Sequence, residues 1–374
     1  MITFIAMPLP MVPTPTKPTF ISASSFSCGK IHLIIHEPLS LCNNPTITEV
    51  FIMSSENLWH YDKVQIGQEG PEVNVTITND NISEYADICQ NYDPRYTCSS
   101  SNTKLTAMPS MALSYAPLLR WEIAKQNGFI AYEDSKTMRK QTPFAKCEVK
   151  WQNAVISGDT IRSTRKVHDK YERRGSKFVT FEVASYNQNN LPVSTYYYTC
   201  IFEYSKGQRT QREFTESPAF QNPFPPVSST TEKLNLDHVA PGSDMIAIAI
   251  SESEEIILRH NDFRLAGGKR DSNIHVDEEF AKNNIFGTAV NSGPATLSYN
   301  AQMLERNFNI ENIYNGGSLL MRAITPVNAG DRINISGTLK EVSTSNNITT
   351  YSGRISGENH LGDLVCLSDF TVSV

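Results

Sequence analysis

Two halves of this chain predict the same succession of elements, and that duplication constrains the fold more than any other feature. Each half has a helical pattern followed by a run of strand patterns. A short motif, V-x-x-G-D-x-I, also occurs at corresponding places, over Val155 to Ile161 and over Val327 to Ile333. A motif shared at the same point of two equal element orders is typical of a tandem repeat. The sequence therefore predicts an α+β fold built twice, each time as a helix laid against an antiparallel sheet.

Hydrophobic periodicity defines the elements of each predicted unit. In the first unit, apolar residues recur at helical spacing over residues 108–126 despite Pro117, and a shorter helix near residues 81–88 has Ser83 as its expected cap. The strand patterns of the first unit cover residues 72–78, 144–151, 159–168, 177–186 and 192–204. In the second unit a helical pattern over residues 294–308 precedes strand patterns over residues 318–324, 332–342, 348–356 and 364–372.

Composition places the boundaries around these units. Residues 1–56 form a proline-rich leader, since seven of the twenty prolines fall before residue 53, and such a segment resists both helix and sheet. Two other interpretations stay open: a transit segment, or an upstream start with Met53 as the functional first residue. The first unit then covers residues 57–205, a polar and proline-rich linker covers residues 206–236, and the second unit covers residues 237–374.

Charge and cysteine usage exclude several classes of function. The net charge is -6 and the basic residues are scattered, which argues against a nucleic acid partner. The seven cysteines never form a C-x-x-C pair, so reduced thiols are expected rather than disulfides or a zinc site. No apolar run approaches the roughly 18 residues that a membrane span needs. We therefore expect a soluble cytoplasmic protein that does not bind membranes, with organellar import if the leader is a transit segment and with homodimer formation left open.

The residues most suggestive of chemistry lie together at 263–299. Asp271 and His275 are four residues apart in a predicted turn, and a short acidic helix start follows them. The stretch ends in small residues around Gly293 that open the apolar helix of the second unit. A carboxylate and an imidazole ahead of a buried helix N-terminus are the components of an acid-base site with an anion-binding amide.

The second unit resembles the MaoC-like, or R-specific enoyl-CoA hydratase, branch of the hotdog fold. The family motif reads approximately G-D-x-N-P, then Ile or Leu, then His, and the matching run here is Asp271, Ser272, Asn273, Ile274 and His275. The motif proline is absent, and strict counting back from His275 puts Arg270 where the family has its aspartate. Alignment with a one-residue deletion assigns that role to Asp271. Residues 291–293 and 323–333 match the start of the family's central helix and the approach to its next strand.

The first unit is similar to the FAS1-like dehydratase domain that is often fused ahead of a MaoC domain. The matching residues are Asp93 to Tyr96 in the position of the active turn, Val155 to Ile161, and the run from Tyr171. Where the family has a catalytic histidine, this sequence has Tyr96. The resemblance therefore implies two tandem hotdog domains, each with a long central helix wrapped by an antiparallel sheet, of which the first is degenerate and helps to shape an acyl tunnel.

The resemblance implies a hydratase or dehydratase acting on 2-enoyl or 3-hydroxyacyl thioesters of CoA or acyl carrier protein. Asp271 and His275 would hold one water and shuttle its proton, because an imidazole titrates near neutrality. The amide of Gly293 would bind the oxyanion that develops on the thioester oxygen. This chemistry requires no metal or redox cofactor. The residues expected to contact the substrate are Asn273, Asn291 and Ser292.

Other interpretations of the same residues stay open. Asp271 could serve turn formation alone, and His275 could be a hydrogen-bonded residue at a strand end. Ser292 lacks the G-x-S-x-G context of a thioesterase nucleophile, and Arg173 with Arg174 suits a hairpin tip better than a cofactor phosphate. Two further functions remain as alternatives: a non-catalytic hotdog binding protein, and a cyclase or isomerase of polyketide or terpenoid metabolism that reuses the tunnel.

Overall fold

A computed structural model describes residues 56–97, 103–205 and 233–374. The predicted leader lies outside the described residues except for Glu56, and the predicted linker is described only from Lys233 onward. The expectations for those two segments therefore stay predictions. Within the described residues, no helix is long and apolar enough to cross a membrane. Four of the seven cysteines are described as free thiols, and all four are buried: Cys89, Cys147, Cys200 and Cys366.

The elements follow the predicted order in both halves. The first half contains β1 (Val73–Thr76), α1 (Asn79–Ile88), α2 (Ala112–Tyr115), α3 (Arg120–Gln126), β2 (Phe144–Trp151), β3 (Thr160–Arg173), β4 (Ser176–Tyr186) and β5 (Pro192–Glu203). The second half contains β6 (Ile248–Ser251), α4 (Glu254–Asp262), α5 (Glu278–Lys282), α6 (Gly293–Asn307), α7 (Ile310–Tyr314), β7 (Ser318–Ala323), β8 (Arg332–Ser345), β9 (Ile348–Asn359) and β10 (Leu364–Ser373). Short 3-10 helices occur at Tyr61–Lys63, Pro94–Tyr96, Pro109–Met111, Tyr132–Asp134 and Leu236–His238.

The ten described strands form one antiparallel sheet in the order β1-β3-β4-β5-β2-β7-β10-β9-β8-β6. Read outward from the centre, the two halves of this order are the same, because β1 to β5 correspond in turn to β6 to β10. The halves join through β2 and β7, whose register runs from Lys146 opposite Arg322 to Lys150 opposite Ser318. The predicted duplication is confirmed at the level of topology, and the sheet passes from one half into the other without interruption.

The repeated V-x-x-G-D-x-I motif forms the same turn in both halves. In the first half the carboxylate of Asp159 accepts a hydrogen bond from the backbone amide two residues before Gly158. The backbone carbonyl of Asp159 accepts a second hydrogen bond, from the Ile77 amide at 2.8 Å. In the second half Asp331 makes the matching pair of bonds, and its carbonyl accepts from the Glu252 amide at 2.8 Å. The turn ties the start of β3 or β8 to the residue that follows β1 or β6. It also makes Ile77 and Glu252 equivalent positions.

The central helix of the second half is continuous, and that of the first half is not. α6 has fifteen residues, of which twelve are buried, so it lies inside the protein rather than on its surface. The single helix predicted over residues 108–126 is instead a 3-10 turn, α2, a break and α3. Pro117 lacks a backbone N–H and disfavours helical geometry in the residue before it, and Leu119 has a φ of 49°. The side chain of Leu119 packs on Gly267, where a Cβ would lie 2.1 Å from it.

One hydrophobic core extends through both halves. It includes Tyr115 and Trp151 from the first half and Leu297, Met303 and Phe370 from the second. A smaller cluster around Trp59, Phe181 and Phe202 belongs to the first half alone. Each large apolar side chain removed from water contributes about 1.5–3 kcal/mol. The shared core therefore fixes the two halves against each other and holds the N-terminus of α6 in place beneath the first half.

Candidate active site

A cavity of about 550 Å³ lies between the two halves. The first half contributes the break between α2 and α3, with Leu119 and Trp121, and the aromatic side chains of Phe144 and Tyr198. The rings of Phe144 and Tyr198 meet edge to face at 4.9 Å. The second half contributes the turn before α5, the N-terminus of α6 and the loop between β7 and β8. Both halves are needed to enclose the space, because neither supplies walls on every side.

His275, a candidate from the sequence, lines this cavity. Its Nδ1 lies 2.8 Å from the carbonyl oxygen of Val290. Because a carbonyl can only accept, Nδ1 carries the proton of the neutral ring, and Nε2 is left as the basic nitrogen. Burial lowers the pKa of His275 to about 4 against the opposing effect of the Val290 carbonyl, and nearby Arg264 and Arg120 lower it further. The imidazole is therefore neutral at pH 7 and able to accept a proton.

Asn273 positions the turn that carries His275. Its side-chain oxygen accepts a bond of 2.8 Å from the His275 amide, and its side-chain nitrogen donates to the oxygen of Asn261 at 2.8 Å. Asn261 lies on α4, so this amide ties the turn to a helix. Asn273 also lines the cavity, but both ends of its side chain are engaged by the protein. The geometry fits a positioning role better than the predicted contact with substrate.

Asp271 does not reach the cavity. Its side chain is exposed and lies outside the cavity wall, whereas Arg270 lines it. The Arg270 guanidinium stacks on Trp121 at 3.9 Å from the ring centre and pairs with Asp134 at 2.9 Å. Consecutive side chains in this turn point to different sides. Counting back from His275 along the family motif reaches the residue that points into the cavity, and here that residue is Arg270. This corrects the predicted arrangement in which Asp271 and His275 share one water.

The start of α6 forms the opposite wall. Ser292 caps the helix, since its hydroxyl accepts from the Ala295 amide at 3.3 Å. Gly293 is the first helical residue and lies against Phe144, where a Cβ would come within 2.2 Å of the ring. Glycine is therefore required here by close packing. The amide of Gly293 belongs to the first turn of α6, which has no intrahelical acceptor to offer it. It can donate to an anionic oxygen in the cavity.

Asn291 connects the cavity to a buried polar cluster that sequence reasoning missed. Its side-chain nitrogen donates to Glu252 at 2.6 Å, and its side-chain oxygen has no hydrogen-bond partner among the described residues. The Tyr299 hydroxyl donates to the same Glu252 oxygen at 2.9 Å and lies 3.5 Å from Nε2 of His260. Burial raises the pKa of Glu252 to about 7. Alignment of the two repeats could have drawn attention to Glu252, because a carboxylate there replaces Ile77.

The first half adds a buried ion pair to the cavity wall. Arg120 donates to Glu133 through two guanidinium nitrogens, one of them at 3.0 Å, and Thr142 donates to the same carboxylate at 2.7 Å. The positive charge of Arg120 keeps the pKa of Glu133 below its ordinary value although burial opposes this. No group of three or more His, Cys, Asp or Glu side chains in the described part of the chain is arranged to hold a metal ion.

Tyr96 does not face the cavity. It is buried, and its hydroxyl donates to Glu305 on α6. Asp93, which precedes the same 3-10 turn, pairs with Arg95 at 2.7 Å. The turn that corresponds to the His275 turn of the second half is thus used to attach the first half to α6.

Two family models match the chain. The FAS1-like, dehydratase domain region matches residues 64–196, and the MaoC like domain matches residues 260–357. No curated protein sequence matches the chain significantly. The two matched regions fall on the two halves of the sheet, and together they include the broken helix, the turn with His275 and the start of α6.

Solved structures share the fold across both halves. A MaoC domain protein dehydratase from Chloroflexus aurantiacus J-10-fl superposes with a TM-score of 0.56 at 14% identity, covering 86% of this chain and 99% of that one. A MaoC-like dehydratase from Phytophthora capsici gives 0.56 at 14% identity, over 84% and 97% of the two chains. A conserved Mycobacterium tuberculosis protein with a double hotdog fold gives 0.52 at 11% identity, over 85% and 99%. The chain therefore contains a FAS1-like, dehydratase domain region followed by a MaoC like domain, and it shares the double hotdog fold of these structures.

Proposed function

We propose that the chain hydrates 2-enoyl thioesters, or dehydrates 3-hydroxyacyl thioesters, carried on CoA or acyl carrier protein. The observation that supports this most is the pairing of two groups on one enclosed cavity. His275 offers a neutral imidazole, and Gly293 offers an amide at the N-terminus of a buried helix. Hydration needs one group that moves a proton and one that stabilises an oxyanion, and these two groups meet both needs.

In the proposed reaction His275 acts as the acid-base group. Nε2 takes a proton from a water molecule as the water oxygen forms a bond to C3 of the enoyl group. The electron pair of the C2–C3 double bond moves toward the thioester, whose oxygen becomes negative. His275 then returns the proton to C2, and the net change is addition of one water. Dehydration is the reverse sequence. The hydrogen bond from Nδ1 to Val290 keeps Nε2 unprotonated between turnovers.

Gly293 and α6 would stabilise the negative charge on the thioester oxygen. The helix N-terminus carries unpaired N–H groups and a partial positive charge. The ring of Phe144 fills the space that a side chain at Gly293 would need, and it closes that side of the proposed oxyanion site. Loss of one such donor typically costs about 3 kcal/mol in the barrier.

The first half would act as a wall and not as a second catalytic centre. Its turn is occupied by the contact between Tyr96 and Glu305, and its broken helix supplies Leu119 and Trp121 to the cavity. This supports the interpretation of the first hotdog as degenerate. The cavity would then accept the acyl group between the aromatic side chains of the first half and the active turn of the second.

Arg270 favours a second candidate function. A guanidinium occupies the inward position where the family motif has an aspartate. Without that carboxylate, water activation would rest on His275 alone. A cyclase or isomerase that moves a proton on a bound carbon skeleton needs an acid-base group but no activated water, and the same cavity would serve it. A non-catalytic binding protein is the third possibility and needs only the enclosed cavity.

Turnover of a series of 2-enoyl-CoA thioesters separates these functions. The proposal predicts loss of the enoyl thioester absorbance for at least one chain length, with formation of a 3-hydroxyacyl product identified by mass. The reverse reaction from 3-hydroxyacyl-CoA should reach the same equilibrium. If no enoyl or 3-hydroxyacyl thioester turns over in either direction, the hydratase proposal is contradicted. That result would favour the cyclase or isomerase and the non-catalytic binding protein.

A further inference from the structure

The cavity carries an excess of positive charge that the proposed reaction does not use. Among the residues that the structure describes, four arginines and one acidic residue line it, although the chain as a whole has a net charge of -6. The single carboxylate, Glu133, is already paired with Arg120. The other three arginines in the cavity wall are not part of that ion pair: Arg139, Arg264 and Arg270. Arg139 and Arg264 are partly open to solvent and Arg270 is half-buried, and a concentration of one sign of charge along a cleft attracts ligands of the opposite sign.

Two of these three guanidiniums form no ion pair with an acidic side chain among the described residues, although Asp262 acts electrostatically on Arg264 and Arg139 on Asp277. Arg264 donates to the carbonyl oxygens of His260 and Phe263 at 3.4 and 3.2 Å. Arg139 donates to the carbonyl oxygens of Glu133 and Ser272 at 3.2 and 2.7 Å. Neither forms an ion pair within the described part of the chain. Each therefore has N–H groups that neither a carboxylate nor a backbone carbonyl uses, and these can bind a ligand.

Arg270 has one carboxylate partner and still has N–H groups that could bind a second acceptor. Its bond to Asp134 uses one guanidinium nitrogen, and its flat face rests on Trp121. A guanidinium has five N–H donors in a rigid plane, so an edge of Arg270 remains for a second acceptor. Stacking on an aromatic ring fixes that plane, which reduces the entropy lost when a ligand binds.

The arginines surround the active turn. Arg264 is close enough to act electrostatically on both His275 and Arg270. Arg139 holds the carbonyl of Ser272, three residues before His275. The positive charges thus repel one another around the position where the acyl group would lie. An anion placed among them would relieve that repulsion, and a carboxylate matches the planar geometry of a guanidinium with two parallel hydrogen bonds.

We propose that Arg264 and Arg270, with Arg139 beside them, form a subsite for a second carboxylate on the acyl chain of the substrate. The substrate class is then an acyl thioester of a dicarboxylic acid. This inference rests on the proposed function, because it assumes that a thioester occupies the cavity. The position favours the acyl group over the carrier: the arginines lie beside His275, whereas the phosphates of a carrier are separated from the thioester by the length of the pantetheine arm.

Binding of saturated thioesters tests the subsite without any need for turnover. Succinyl-CoA and butyryl-CoA have four-carbon acyl chains and differ mainly in one carboxylate. Calorimetric titration of the full chain should give at least about tenfold tighter binding of succinyl-CoA. The preference should fall toward unity in Arg264→Gln and in Arg270→Gln. Arg270→Lys, which keeps the charge but loses the planar fork, should retain part of it. Arg173→Gln removes an exposed arginine on a strand end and is the matched control.

Several outcomes would overturn the inference. Equal affinity of the wild type for the two thioesters, or no detectable binding of either, would do so. So would a preference for succinyl-CoA that survives both glutamine variants. A last outcome is that the arginines bind the phosphates of the carrier. Succinyl-pantetheine and butyryl-pantetheine, which lack the nucleotide, identify it: the glutamine variants would then weaken the binding of both CoA thioesters equally and leave the binding of the pantetheine thioesters unchanged. None of these titrations depends on hydration, so the subsite can fail while the hydratase proposal stands.

Discussion

At the scale of single residues, the placement of His275 decides what the cavity can do. The imidazole is held by one backbone carbonyl at Nδ1 and kept neutral by its enclosure. Asn273 fixes the backbone of the same turn from the neighbouring helix α4. The proton chemistry of the proposed reaction therefore depends on one ring nitrogen, whose position is set by two side-chain to backbone hydrogen bonds rather than by a partner carboxylate.

The pH dependence of turnover should report the low pKa of His275. Its neutral form is the one that accepts a proton from water, and protonation at low pH removes it. Since the pKa is about 4, kcat/KM for hydration should stay level from neutral pH downward and fall only as the pH drops through about 4. Circular dichroism at each pH separates this loss from unfolding. A fall centred near the ordinary histidine pKa of about 6.5 would contradict the proposed enclosure.

The sequence predicted some of these residues and not others. The residue types and spacing around His275 and Gly293 were sufficient to indicate an acid-base group and a helix N-terminus. They could not settle which of Arg270 and Asp271 faces inward, because one inserted or deleted residue in a turn exchanges the two sides. Glu252 escaped notice since a lone glutamate after a short strand has no local pattern, and its role depends on α6 folding over it.

At the scale of elements, the close approach of α6 to β2 shapes the proposed oxyanion site. Gly293 touches Phe144, whose ring also closes the cavity against Tyr198. The first half lacks an equivalent continuous helix because Pro117 interrupts it. The periodic apolar pattern over residues 108–126 did not reveal this break, since α2 and α3 each bury apolar residues. Similarly, α1 is capped by Thr78 and not by Ser83, which lies inside the helix.

Substitution Gly293→Ala should impair turnover through packing. The new Cβ would lie 2.2 Å from Cγ of Phe144, so the start of α6 must move away from the cavity. We expect a loss of at least about 100-fold in kcat, the scale of removing one oxyanion donor. Phe144→Ala in the same chain makes room and should recover part of that loss, with Phe144→Ala alone as reference. Full activity of Gly293→Ala would show that the helix start is not placed as proposed.

At the scale of the whole molecule, the two halves depend on each other. The sheet is continuous through β2 and β7, and the core is shared. A further connection is the buried carboxyl of Glu305 on α6, which accepts hydrogen bonds from Tyr96 and, at 3.3 Å, from Asn91 of the first half. The sequence revealed the duplication from its repeated motif. It could not reveal this contact, because Tyr96 and Glu305 are far apart in the chain and neither belongs to a repeated pattern.

The charge state of Glu305 should make stability depend on pH. Burial raises its pKa to about 7 against the opposing effects of Tyr96 and Arg95, from an ordinary value of 4.5. A raised carboxyl pKa means that the folded state favours the protonated form, so this contribution is complete below about pH 4.5 and is lost as pH rises to about 7. The loss is on the order of 3 kcal/mol.

Glu305→Gln removes this penalty because a neutral amide replaces the carboxylate. The rise in Tm of Glu305→Gln over wild type should therefore be larger at pH 8 than at pH 5. Glu311→Gln, at an exposed position on α7, is the matched control and should show no such difference. The same Tm shift for Glu305→Gln at both pH values would mean that Glu305 is ionised in the folded state at low pH as well.

The most direct test of the proposed function is the hydration rate of a 2-enoyl-CoA substrate in His275→Ala and Asp271→Ala, measured beside the wild type. Both substitutions alter the same turn, and circular dichroism checks that the fold is kept. The structure predicts that kcat/KM falls at least about 100-fold in His275→Ala and stays within a few-fold of wild type in Asp271→Ala. Unchanged activity in His275→Ala, or a comparable loss in Asp271→Ala, would contradict the account in which His275 moves the proton without help from Asp271.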